Sequence, residues 1–205
     1  MQKEIAHEYN FKKVLKEIFI LIFAFVFVYF VLNNQYVRPN ISIVKEENKD
    51  WSINKREHKL ALGLSGHTFI ELQNETGQVI GQIHGFAYDE KTADIVETAT
   101  KGGYKLKVFV FDYDYYLSRN KEGAKAGISL YKGSASSTEQ LWDKAKICGA
   151  EIDSKNYDYP RYGFKIINET ENSNSVAHSI INCIGLKDKN IGLITPGHNT
   201  DLLSN

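Results

Sequence analysis

Between Asn172 and Gly185 the apolar residues Val176, Ala177, Ile180, Ile181 and Ile184 recur at the spacing of one helical face. The pattern predicts a helix that opens in the polar run Asn172-Ser173-Asn174-Ser175 and stops at Gly185, a residue suited to the left-handed turn after a helix. Carried back one turn, the face reaches Ser173, because positions 173, 177, 180 and 184 share a side of the helix. A second helix is expected over residues 138–150, with Leu141, Trp142, Ala145, Cys148 and Ile152 turned inward and Ser136 or Ser137 as its cap.

Elsewhere the apolar pattern shortens to strands. Residues 67–72 and 78–84 flank the turn-rich cluster Asn74-Glu75-Thr76-Gly77 and predict a hairpin. Pairing them symmetrically about the turn sets Leu72 opposite Val79, Ile70 opposite Gly81 and His67 opposite His84. Directly opposed residues share a sheet face, so the two imidazoles are expected side by side. Further strands are expected at residues 105–111 and 128–131, and a strand or its approach at 59–64. Residues 157–162 read as an aromatic loop, and residues 195–203 as a loop with a small apolar anchor. The sum is an α+β domain over residues 58–205, an antiparallel sheet packed with about two helices.

One segment has no polar face at all. Residues 18–37 carry no charge, and as a helix they would cover roughly 30 Å, the thickness of a bilayer core. Lys3, Lys12, Lys13 and Lys16 precede this span, whereas only Arg38 and Lys45 follow it closely. The positive-inside rule then keeps residues 1–17 in the cytoplasm and exports the rest. Residues 38–57, polar and charged, read as a tether between a single-pass anchor in the cytoplasmic membrane and an extracytoplasmic, periplasm-type domain. The 205 residues suffice for that anchor and one domain. Lys plus Arg and Asp plus Glu balance at 25 each, which gives no argument for nucleic acid as a partner. Cys148 and Cys183 fit an oxidising compartment if they pair; two buried thiols are the alternative.

The candidate chemistry lies in His67, His84 and Ser173. A hydroxyl nucleophile needs a base within hydrogen-bond reach, and the base needs an orienting group. Strand-borne histidines beneath a helix start meet that requirement, and the helix N–H groups could hold an oxyanion. The plain alternative for Ser173 is a helix cap. Glu71 shares the face of His67 and makes a metal site with the two histidines a lesser alternative. His178 points well away from Ser173 and is expected in solvent. The run Asp112-Tyr113-Asp114-Tyr115-Tyr116 reads as a cleft lining or as an edge strand and turn.

Gly66-His67-Thr68-Phe69-Ile70, Ile83-His84-Gly85, Asn172-Ser173-Asn174-Ser175-Val176 and the tail around Pro196-Gly197 together resemble a group of bacterial domains near the permuted papain-like, or NlpC/P60-like, superfamily. The resemblance implies a permuted papain-like fold, with His67 at the catalytic histidine position, His84 at the polar orienting position and Ser173 where active members carry cysteine. A serine hydroxyl is far less acidic than a thiol, so this departure weakens the implied activity. Two functions follow as expectations: a hydrolase or acyl-transfer enzyme acting on an amide or ester, with Ser173 as nucleophile, His67 as base and His84 as orienting group; or a catalytically inactive binding or inhibitory, immunity-like module. Neither calls for a cofactor or a bound metal.

Overall fold

The structure is a computed structural model that describes residues 50–60, 65–97, 99–119, 126–163, 170–191 and 195–204. The expected anchor at 18–37, with its flanks, and the segment 61–64 lie outside the described residues. Among the described residues no helix is long and apolar enough to cross a membrane.

Strands β1 (Trp51–Leu60), β2 (Ser65–Gln73), β3 (Val79–Asp89), β4 (Asp94–Val96), β5 (Tyr104–Phe111), β6 (Ala126–Gly133) and β7 (Asp158–Tyr159) form one sheet in the order β6-β1-β2-β3-β5-β7, with β4 paired to the end of β3. Every pairing between these strands is antiparallel. The helices are α1 (Tyr115–Ser118), a single turn, α2 (Ala135–Ser154) and α3 (Ser173–Cys183). The fold is thus α+β with an antiparallel sheet, as the alternating and 3.6-residue patterns require.

β1 corrects the expected domain boundary. Trp51 to Glu57 belong to the sheet, between β6 and β2, and not to a tether. The strand escaped the hydrophobic pattern because the side chains it turns toward the helices include Lys55 and Glu57 after Trp51 and Ile53.

The sheet has two unlike faces, set by the alternation of side chains along each strand. On one, Ile53, Ile70, Leu72, Ile83 and Leu106 pack against Trp142, Ala145 and Ile152 of α2 and Val176, Ala177, Ile180 and Ile181 of α3. Cys148 and Cys183 form a disulfide that joins these helices, which closes the alternative left open by the sequence. On the other face Phe69 and Phe86 pack with Tyr115 and Tyr116 of α1. The acidic and aromatic run is therefore neither cleft lining nor edge strand: Asp114 caps α1 and the two tyrosines after it are core.

Both long helices begin with a cap one or more residues earlier than expected. Ser134, not Ser136 or Ser137, caps α2 by accepting from the Ser137 N–H. Asn172, not Ser173, caps α3: its Oδ1 accepts from the N–H groups of Asn174 and Ser175, while Ser175 Oγ accepts from the Asn172 N–H. Asparagine caps as well as serine does, so residue type alone did not separate the neighbours.

The chain after α3 returns to that cap. Asn172 Nδ2 donates to the carbonyls of Gly163 and Pro196, and Asn174 Nδ2 also donates to Pro196. Further on, the Leu202 N–H donates to Ser179 Oγ and the Leu202 side chain is buried, the apolar anchor expected of the tail. Gly197 makes the approach possible. It sits at φ +84°, and a Cβ there would lie 2.7 Å from both Asn172 Oδ1 and the Thr170 carbonyl. Gly197→Ala is expected to cost about 2–4 kcal/mol through left-handed strain and overpacking together. Urea unfolding of the full chain checks this; a loss within 0.5 kcal/mol, on the order of an ordinary surface substitution, would contradict it.

Candidate functional site

The hairpin brings His67 and His84 together, but not through the expected pairs. The observed register sets Leu72 opposite Gly81 and Ile70 opposite Ile83, two residues from the symmetric pairing, with an irregularity between Leu72 and Gln73. The turn is what moves it: Asn74 Oδ1 gathers the N–H groups of Thr76 and Gln78, and the strands resume only at Gln73 and Val79. A shift of two keeps the parity of the pleat, so both histidines stay on one face. They meet diagonally, with His67 Nε2 and His84 Nδ1 2.9 Å apart. Each ring also stacks on a cross-strand phenylalanine, His84 on Phe69 at 4.2 Å and His67 on Phe86 at 4.7 Å between centroids.

A hydrogen-bonded chain fixes the protons on these rings. Gln82 Oε1 accepts from the Tyr115 N–H, so its amide nitrogen faces away and donates to Glu71 Oε2. His84 Nε2, 3.1 Å from that same oxygen, must then be protonated, and its Nδ1 is left as an acceptor for His67 Nε2–H. Every proton in the series His67, His84, Gln82 points toward Glu71, whose Oε1 also takes Gln73 Nε2 and faces Arg56 Nε at 3.4 Å. Glu71 thus joins the histidines through Gln82 and does not share a vertex with them, and among the described residues no group of three His, Cys, Asp or Glu could hold a metal.

Burial and mutual repulsion hold both imidazoles neutral. Desolvation, then the nearby His58, depress His67 to a pKa of about 3. Desolvation, then His67 and His58, carry His84 well below its ordinary value. A base so reluctant to take a proton is poorly suited to activating a hydroxyl near neutral pH. Glu71 is shifted the opposite way: burial raises its pKa, against the pull of Arg56 and of its amide donors.

Ser173 is not part of this group. A Cβ on Gly85 would lie 3.2 Å from the Ser173 Cα and 2.7 Å from Val176 Cγ2, so α3 rests on Gly85. Gly85 faces the helices, and its neighbours His84 and Phe86 face the aromatic layer. The sheet therefore stands between Ser173 and the two histidines, and the expected relay of nucleophile, base and orienting group is not assembled. The residues beneath the start of α3 are Gly85 and Thr68, whose N–H and Oγ1 both donate to Asn174 Oδ1. Ser173 is buried and engages Tyr159, a phenol that burial raises to about 12 despite its hydrogen bonds with the Ser173 side chain and backbone.

Sequence reasoning passed over a second polar centre on the helix face. Lys55, on β1, donates to Asp188 Oδ1 at 2.7 Å, and its side chain is only 3% exposed. His178 Nδ1 lies 2.7 Å from the other oxygen of Asp188, while His178 Nε2 accepts from Asn182 Nδ2. His178 is therefore partnered and half-buried, not solvated as expected. Burial opposes ionisation of Asp188, but the bonds from His178 and Lys55 outweigh it and hold the carboxyl below its usual range. The available signal was a charged residue at an inward position of β1, which becomes visible only once β1 is known to be a strand.

No protein-family model, curated protein or solved structure matches this chain.

Proposed function

We propose that the chain is a non-catalytic recognition module, inhibitory or immunity-like in kind, held outside the cytoplasmic membrane by its N-terminal span. The observation that carries this reading is the sheet lying between Ser173 and the His67–His84 pair. Among the described residues neither histidine reaches Ser173, and a serine hydroxyl is activated only through a base in reach. Thr68 and Gly85, not the histidines, lie under the helix start, which speaks for a module without chemistry. The disulfide between α2 and α3 supports placement in an oxidising compartment.

The contact residues of this reading are Tyr162 and Arg161. Tyr162 is 57% exposed yet held at φ +60°, a costly conformation for a bulky residue, by its N–H bond to the Ala99 carbonyl at 2.7 Å. The Arg161 guanidinium lies 4.8 Å from the Tyr162 ring centroid, and its Nε donates to the Thr100 carbonyl. An aromatic and an arginine fixed in place on a surface are the residue types that dominate protein interfaces.

The test sets two variants against each other. The purified full chain should give no adduct at Ser173 with a fluorophosphonate probe, and Ser173→Ala should complement a strain lacking the gene. Tyr162→Ala, still folded, should fail to complement. A mapped Ser173 adduct, or loss of function in a folded Ser173→Ala chain, would return the serine to a catalytic role.

A further inference from the structure

We propose that residues 112–119, with α1 at their centre, form an acid-released latch over the histidine face of the sheet: a proton taken up by the His67–His84 pair lifts α1 away while α2 and α3 stay packed on the opposite face. The inference is independent of what the protein recognises.

The attachments of α1 run chiefly to the pair and its immediate support, with Glu97 and Phe111 holding the outer side of Tyr115. The Tyr115 N–H donates to Gln82 Oε1, the same atom that accepts from His84. The Tyr115 ring lies 5.5 Å from His84 and 5.3 Å from Phe86. Tyr116 is stacked on His58 at 4.1 Å and meets His67 and His84 edge-on. Outward from these, Leu117 is exposed and the turn is capped only by its own Asp114. Lifting this one turn would give both imidazoles water without disturbing the disulfide-joined helices.

Among the described residues a proton on the pair meets no carboxylate within hydrogen-bond reach. His67 and His84 are 4% and 0% exposed. The charged and titratable groups facing them are Arg56 and His58 from β1, Glu71 from β2, Glu97 after β4, and Asp114, Tyr115, Tyr116 and Arg119 from the α1 segment. Glu71 is bonded to Gln73 and Gln82 and faces Arg56, while Glu97 accepts from Tyr115 Oη and faces Arg119. Among the described residues neither imidazole bonds a carboxylate. If the proton goes to His84 Nδ1, it confronts His67 Nε2–H across 2.9 Å and the chain to Gln82 loses its first link. If it goes to His67, an imidazolium is sealed between Phe86 and the edge of Tyr116. Solvent relieves both.

The sign follows from the depressed folded-state values. A histidine of ordinary pKa 6.5 in the open state and about 3 when closed favours closure fully above pH 6.5, and loses that preference as pH falls toward 3. The test is hydrogen exchange of the full chain, disulfide intact, at a series of pH values between 7.5 and 3.5, each rate divided by the intrinsic amide rate at that pH. Peptides covering 112–119 should gain at least tenfold labelling on the acid side while peptides of α3 stay protected. His67→Phe combined with His84→Phe, which keeps an aromatic stack on Phe69 and Phe86 and removes both proton acceptors, should abolish the transition. Should that variant fail to fold, His58→Phe decides instead: removing the charge that opposes His67 narrows the gap between its closed and open states, so opening should need a lower pH. The latch is overturned if both segments open together with one midpoint, if 112–119 stays protected, or if the variant that folds keeps the wild-type midpoint.

Discussion

Replacing Asp188 by alanine is expected to cost the fold about 3–5 kcal/mol, the range for breaking a buried ion pair from one side. The magnitude comes from what remains behind. The Lys55 side chain stays 3% exposed on an inward position of β1, with the Lys189 carbonyl at 3.3 Å as its remaining acceptor. His178 loses the acceptor for its Nδ1 proton at the same time. Asp188→Asn should cost less, since an amide oxygen still accepts. The double variant Lys55→Met with Asp188→Leu should recover much of the loss, because no buried charge is then stranded. Urea unfolding of the three chains is the measurement. If Asp188→Ala and Asp188→Asn unfold at the wild-type midpoint, the pair is no more than a surface bridge.

The second large effect is expected from the disulfide. Cys148 and Cys183 are 35 residues apart, and closing a loop of that length restricts the unfolded chain by about 3–4 kcal/mol in the chain-entropy model. The bond also ties α2 to α3 over a shared layer of Ile83, Ile152 and Ile180. The double variant Cys148→Ala with Cys183→Ala should therefore lose stability of that order, with its helices still docked when folded. Denaturant midpoints with and without reductant give the comparison. A wild-type chain indifferent to reductant would show that the bond does not form in solution.

Legibility in the sequence followed apolar periodicity. The helix after Asn172, the inward residues Trp142, Ala145, Cys148 and Ile152, and the hairpin around Asn74 all carry strong periods and are where the pattern puts them. The shared face of His67 and His84 was legible because parity survives a two-residue error in register. What the pattern could not supply was which face. Nothing local tells that Gly85, rather than His84, lies beneath α3, since that depends on the second layer of packing. The cap was missed by one residue because Asn172 and Ser173 have near-equal preference for it. β1 was missed because its inward positions include a lysine and a glutamate, and the partner that allows the lysine to be buried, Asp188, lies far along the chain.

That last feature also bears on how the chain folds. β1 lies between β2 and β6, and Lys55 meets Asp188 across 133 positions. Partners so distant are slow to find, and a strand awaiting them is open to edge-to-edge association with other chains. The sequence Trp51-Ser52-Ile53-Asn54-Lys55-Arg56-Glu57-His58 is badly suited to such association, because charge interrupts it on both faces of the pleat. The substitution Lys55→Met with Asp188→Leu, which should be tolerated in the finished fold, is therefore expected to raise aggregation during refolding: Lys55 acts as a gatekeeper before it acts as half of an ion pair.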